Sequence, residues 1–143
     1  MKAAQTRTFN LDEFCPIRQT VRLLGKQWTM LIISELNYGK RKKLSFMDLS
    51  RKLKSASSKV LSERLKEMAQ DSLIRRRVDD TSKPARVYYS LTKKGRDACD
   101  ILEEFKKYGL KWGDKRTVDC STVECELCPR KDEAAASASS VRV

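Results

Sequence analysis

The stretch from Ser55 to Leu91 constrains the fold of this chain more than any other. After Ser57-Ser58-Lys59, the residues Val60, Leu61, Leu65 and Met68 recur at helical spacing and make one apolar stripe. Lys59, Ser62, Glu63 and Lys66 fall on the opposite face of the same helix. Leu73 to Val78 and Arg86 to Leu91 then form two strand-like runs around a polar, proline-containing tip, Asp79 to Pro84. A helix that buries one side and shows small hydroxyls and lysines on the other can lie in a DNA major groove. With a basic hairpin directly after it, the pattern predicts a winged helix-turn-helix.

The rest of the chain supplies the partners such an arrangement needs. Asn10-Leu11-Asp12-Glu13 fits a helix-capping pattern, and Phe14, Ile17, Val21 and Leu24 continue at helical spacing. Pro16 is tolerable in the first turn and Gly25 ends this helix. A second helix is predicted from Lys26 to Tyr38, with Trp28, Leu31, Ile32 and Leu36 on its core face and Gly39 as its stop. Lys40-Arg41-Lys42-Lys43 is a cationic turn, either a solvated loop or a phosphate contact. Leu44 and Ser45 make a short strand, and Ser45-x-x-Asp48 caps a third helix whose Phe46, Leu49 and Leu53 face inward. This helix pairs with the Ser57–Asp71 helix across the turn Lys54-Ser55-Ala56. Thr92 caps a long final helix with Ala98, Ile101, Leu102, Phe105, Tyr108 and Trp112 along one face. That stripe outlasts what a small domain covers, so it predicts a dimer interface, packing onto the first helix of the same chain, or both.

The expected fold class is therefore mainly α with a small β-hairpin wing (α+β), dimeric through the N- and C-terminal helices. The expected domains are an N-terminal arm over 1–14, a DNA-binding and dimerisation domain over 15–113, and a cysteine-containing, partly disordered tail over 114–143. The Ala/Ser run from Ala134 to Ser140 lies in that tail.

Charge decides between partners. The formal net charge of the 143 residues is +12, and residues from Asp114 onward are near neutral, so the positive field belongs to the folded body. Basic residues outnumber acidic ones two to one there, which favours a polyanion over a merely solvated surface. No apolar run is long enough to span a bilayer, and Met1 to Asn10 lacks the apolar middle of a signal peptide. The expected location is the cytoplasm, with no membrane partner. In that compartment the five cysteines point to thiol, metal or redox chemistry before structural disulfides.

Cys15 sits beside Pro16 at a predicted helix N-terminus, a position where cysteines become reactive; the alternative role is a small, half-buried apolar filler. Cys120-x4-Cys125-x2-Cys128 places three thiols within nine residues. The spacing is like the first three ligands of a plant-type [2Fe–2S] cluster, and zinc would also accept it. Histidine is absent, so a fourth ligand must be Cys99, Cys15, a carboxylate, water or a partner chain. A disulfide or redox pair and an inert tail remain open alternatives to an iron-sulfur cluster or zinc.

Four motifs in order resemble the HxlR-type regulators of the broader MarR-like group, over roughly Cys15 to Trp112. Cys15-Pro16-Ile17 leading into Leu24-Gly25-Lys26-Gln27-Trp28 is similar to the family's Cys-Pro start and Gly-Lys-x-Trp turn. Phe46-Met47-Asp48-Leu49 resembles its Phe-x-Glu-Leu helix, and Leu61-Ser62-Glu63-Arg64-Leu65 resembles its Leu-x-x-Arg-Leu recognition helix. Tyr89-Ser90-Leu91-Thr92-Lys93-Lys94-Gly95 resembles its Tyr-x-Leu-Thr-x-x-Gly exit from the wing. The resemblance implies a homodimeric transcriptional regulator on a two-fold site in double-stranded DNA, with a cysteine like Cys15 as a redox or electrophile sensor. It does not reach the cysteine-bearing tail.

The candidate base-edge or near-base residues are Ser57, Ser58, Lys59 and Ser62, with Ser57 equally suited to be only the helix cap. Lys66 and Arg51 are candidate phosphate contacts, and in the wing Lys83 and Arg86 could reach phosphates or the minor groove. Arg64 leans to the buried side and reads first as a structural ion-pair residue. Arg75, Arg76 and Arg77 alternate sides of a strand, so not all three can face DNA. The competing readings are a nonspecific architectural DNA-binding protein and a winged-helix protein-contact module with a metal-binding tail. An enzyme is the least supported reading, since there is no His for a triad and no Gly-rich phosphate loop.

Overall fold

The computed structural model describes residues 11–39 and 42–119. Two helices, α1 (Leu11–Phe14) and α2 (Pro16–Leu24), precede α3 (Thr29–Tyr38). A short strand β1 (Leu44–Ser45) leads into α4 (Phe46–Lys52) and α5 (Ser58–Gln70). The hairpin β2 (Ile74–Asp79) and β3 (Arg86–Leu91) follows, and α6 (Lys93–Asp97) and α7 (Cys99–Trp112) close the order. The sheet is antiparallel in the order β1-β3-β2, with Leu44 opposite Tyr89 and Ile74 opposite Leu91. This is the expected winged helix-turn-helix, helix-rich with a three-stranded sheet.

Polar side chains fix where the helices begin. Ser45 Oγ accepts from Asp48 N–H at 3.1 Å while the Asp48 carboxylate accepts from Ser45 N–H at 3.0 Å, a complete capping box. The Asp48 carboxyl is held below its ordinary value, chiefly by that Ser45 N–H. Thr92 Oγ1 accepts from Gly95 N–H at 3.2 Å and donates to the Ser72 carbonyl at 2.5 Å, so α6 starts stitched to the end of α5.

The core is one cluster. Ile32, Ile33 and Leu36 of α3, Leu49 of α4, and Leu61, Leu65 and Met68 of α5 meet Leu73, Ile74 and Tyr89 of the wing base. Burying each large apolar side chain contributes roughly 1.5–3 kcal/mol. Glu35 is buried in this assembly beside Lys52 Nζ at 3.3 Å, which ties α3 to α4.

Several expected elements differ. The first helix breaks at Cys15, whose φ of −67° and ψ of 121° are extended, because Pro16 disfavours helical geometry in the residue before it. The second helix begins at Thr29 rather than Lys26, since Trp28 takes a left-handed φ of 73°. Its core face is Ile32, Ile33 and Leu36, whereas Leu31 is 52% exposed. Val60, expected in the apolar stripe of α5, is 37% exposed at the first turn, before that helix reaches the core. The final helix is two helices that meet at Ala98. Phe14, Ile17 and Val21 are exposed, as are Phe105, Tyr108 and Trp112. Among the described residues no helix is long and apolar enough to cross a membrane.

Candidate nucleic-acid interface

α5 shows one face by burying the other. Leu61, Leu65 and Met68 are all but fully buried, so the helix cannot roll about its axis without opening the core. That leaves Ser58, Lys59, Ser62 and Lys66 exposed on the outer side, together with Glu63. Ser57 is the helix cap: its Oγ accepts from Val60 N–H at 3.2 Å. The cap uses one lone pair, and the hydroxyl proton of this exposed residue keeps its freedom to meet a second acceptor.

The flanking cations are placed on three other elements. Arg51 is exposed in the last turn of α4 and is ion-paired with Asp48 at 2.5 Å, so a phosphate would share its guanidinium with that carboxylate. Lys83 is exposed in the hairpin tip, and Arg86 is exposed at the start of β3, opposite Asp79. The structure thus brings Ser57, Ser58, Lys59, Ser62 and Lys66 onto one helix, with Lys83 and Arg86 in the adjoining wing.

A clamp on α5 was only half visible in the sequence. Arg64 is largely buried, donates from Nε to the Gln27 carbonyl at 2.9 Å, and pairs through Nη1 with Glu67. Glu67 also accepts from Lys26 Nζ at 3.0 Å. That Lys26 hydrogen bond, aided by the Arg64 charge, holds the Glu67 carboxyl below its ordinary value. The i,i+3 spacing of Arg64 and Glu67 signals their pairing, but Lys26 lies 41 residues away and no local pattern announces it.

Cys15 is the half-buried N-cap residue of α2, with no side-chain cap hydrogen bond and Pro16 in the first turn. Cys99 is half-buried at the start of α7, where burial pushes its thiol up. Among the described residues no group of three or more Cys, Asp or Glu is placed to hold a metal. Cys120, Cys125 and Cys128 lie outside the described residues, as do Asn10, Lys40 and Arg41.

The HxlR-like helix-turn-helix profile matches residues 23–117. The chain belongs to this family. YvaP of Bacillus subtilis (strain 168), an HTH-type transcriptional regulator, is 36% identical over 111 residues, which cover 77% of this chain and 99% of YvaP. YodB of B. subtilis, solved in its reduced form, superposes with a TM-score of 0.59 at 32% identity, over 70% of this chain and 95% of YodB. HypR, a redox regulator solved in its oxidized form, gives a TM-score of 0.62 at 27% identity, over 70% of this chain and 99% of HypR. As a member of the HxlR-like family, the chain is a helix-turn-helix transcriptional regulator and not an enzyme.

Proposed function

We propose that this regulator is a homodimer that binds a two-fold operator and answers to thiol oxidation through Cys15. One observation carries the DNA-reading part: the rigidly anchored α5 presents Ser58, Lys59, Ser62 and Lys66 on its exposed side, with the hairpin directly beside it. In this reading Ser57, Ser58, Lys59 and Ser62 approach base edges, Lys66 and Arg51 meet phosphates, and Lys83 and Arg86 reach the flanking backbone or minor groove. Dimerisation supplies the second α5, placed about one helical turn of DNA away. The exposed Phe14, Ile17 and Val21 near the N-terminus and Phe105, Tyr108 and Trp112 of α7 are the apolar area that a second copy would cover. Residues 15–113 are then the reading and dimerising unit, working in the cytoplasm.

Cys15 supports the sensing part by its place. It caps the helix that carries Ile17 and Val21, so a disulfide or adduct there would act on the dimer face. The similarity to HypR, a redox regulator, and to YodB, solved in a reduced and a diamide-treated form, favours the same reading.

The test is selection of bound duplexes from random DNA, followed by footprinting and sedimentation with and without diamide. The expected result is a two-fold symmetric site, a dimer on it, and release by diamide that Cys15→Ser abolishes. Binding with no sequence preference would leave the architectural reading instead. A diamide response that survives in C15S would move sensing to other cysteines.

A further inference from the structure

The outward side of α5 is centred on a carboxylate. The buried Leu61, Leu65 and Met68 fix the inward direction of the helix. At about 100° per residue, Glu63 lies within about 15° of the opposite direction and Lys59 within about 30°. Lys66 is turned about 45° from that direction and Ser62 about 85°. Glu63 is exposed, so it is the side chain that α5 aims most directly into a groove.

Lys59 stands four residues before Glu63 and Lys66 three residues after it, positions from which a lysine can pair on a helix surface. Among the described residues Glu63 forms no ion pair with either. Glu67, the other acid of α5, is committed to Lys26 and Arg64. An unpaired acid at the centre of this face is costly for a protein that binds a polyanion, because phosphates line both walls of the groove. The two lysines beside it offset that repulsion and let the carboxylate approach base edges.

An ionised carboxylate only accepts hydrogen bonds. The major-groove edge offers two donors, the N4 amine of cytosine and the N6 amine of adenine. The adenine amine lies between two acceptors, its own N7 and the thymine O4, and both would repel Glu63. The cytosine amine has an acceptor on one side only, the guanine O6. We propose that Glu63 is a specificity-determining residue that accepts a hydrogen bond from a cytosine N4 amine in each half-site and rejects sequences that lack one. The proposal rests on the operator-binding reading above and names a base within it. Where the amine is missing, the carboxylate gives up water for an acceptor edge, so the side chain that reads the operator also weakens binding elsewhere. Lys59 stands one helical turn earlier, about 6 Å along the axis or about two base steps, so its contact falls on a different base pair.

The test selects duplexes from random DNA with the full wild-type chain, Glu63→Gln and Glu63→Ala. Each protein is then titrated by fluorescence anisotropy on the wild-type operator, its single-base variants and scrambled DNA. Both variants should keep the wild-type urea midpoint, since Glu63 is exposed and makes no ion pair among the described residues. Wild type should select a cytosine at one symmetric pair of positions, and any other base there should weaken it about tenfold or more. Glu63→Gln should select adenine at those positions, because an amide both accepts from N6 and donates to N7. Glu63→Ala should accept every base there within about twofold, and both variants should bind scrambled DNA more tightly than wild type, having lost a charge that repels phosphate. Variants that keep the wild-type base preference at every position, or that lose affinity equally on operator and scrambled DNA, overturn the proposal. So does wild-type selection of adenine at the position that the variants alter. Failure of wild type to prefer any sequence overturns instead the operator reading beneath it.

Discussion

Lys26 Nζ lies 3.0 Å from Glu67 Oε2, and this contact joins the turn between α2 and α3 to the recognition helix. Arg64 reinforces it by bonding both Glu67 and the Gln27 carbonyl. Both Lys26 and Glu67 are substantially exposed, so the pair adds little to global stability. Its local effect is to tie α5 to the turn before α3.

Lys26→Met should therefore leave the urea midpoint almost unmoved while lowering operator affinity and preserving the salt slope. A phosphate contact by Lys26 would instead reduce that slope by about 1. Glu67→Gln separates the two, because it weakens a positioning pair but leaves a phosphate-contacting Lys26 free to bind. The pH dependence has a fixed sign. The Glu67 carboxyl is lowered in the folded state, so its contribution is present above the ordinary glutamate range and is lost as pH falls through the lowered folded value. Glu67→Gln should remove that acid-side loss of operator binding.

Thr29 is fully buried at the start of α3, and its Oγ1 has no hydrogen-bond partner among the described residues. An unpaired hydroxyl in an apolar core costs about 1–3 kcal/mol in lost hydration. Thr29→Val keeps the shape and removes the hydroxyl, so it should raise unfolding free energy by about 1 kcal/mol in urea denaturation. Thr29→Ser keeps the hydroxyl and loses a methyl group, so it should be less stable than the parent. Destabilisation by valine would mean that the hydroxyl has a partner in solution.

The winged helix was legible because its signals are local. Ser45-x-x-Asp48, the 3.6-residue recurrence of Leu61, Leu65 and Met68, and the turn residues between β2 and β3 each act within a few positions. The exposed α5 face followed from the same periodicity. What escaped depended on contacts distant in sequence or on single backbone angles. The periodicity places Leu31 on the inner face of α3, but Ile33 takes that place, as tertiary packing decides between adjacent apolar residues. The break at Ala98 is invisible to periodicity because the apolar stripe begins at Ala98, and Lys93–Asp97 carries no apolar side chain that would show a change of phase. The Lys26–Glu67 contact and the placing of Lys43 over Tyr88 required the tertiary fold.

Gly95 has a steric reason. A Cβ built there would lie 2.2 Å from the Leu73 carbonyl oxygen and 3.0 Å from Leu91 Cδ2. The Leu73 carbonyl cannot retreat freely, as it accepts from Thr92 N–H at 3.1 Å. Gly95→Ala should therefore push α6 off the wing base and destabilise the fold by roughly 1–3 kcal/mol, as overpacking does. Chemical denaturation measures this directly. A neutral result would show that α6 docks more loosely than its buried glycine indicates.

Lys66 and Ser62 share the exposed side of α5 but should fail differently. Lys66 is predicted to meet phosphate, so Lys66→Ala should weaken binding to operator and scrambled DNA alike and lower the salt slope by about 1. Ser62 carries no charge and lies nearer the helix start, so Ser62→Ala should leave the slope and the scrambled-DNA affinity alone. Its loss should fall on the operator, at one symmetric pair of base positions, costing about 1–3 kcal/mol for a direct base contact. Anisotropy titrations on the selected operator and its single-base variants distinguish these patterns. If Ser62→Ala weakens every sequence equally, the hydroxyl is on the backbone, and base reading must fall to Ser57, Ser58 and Lys59 at the helix start, together with Glu63.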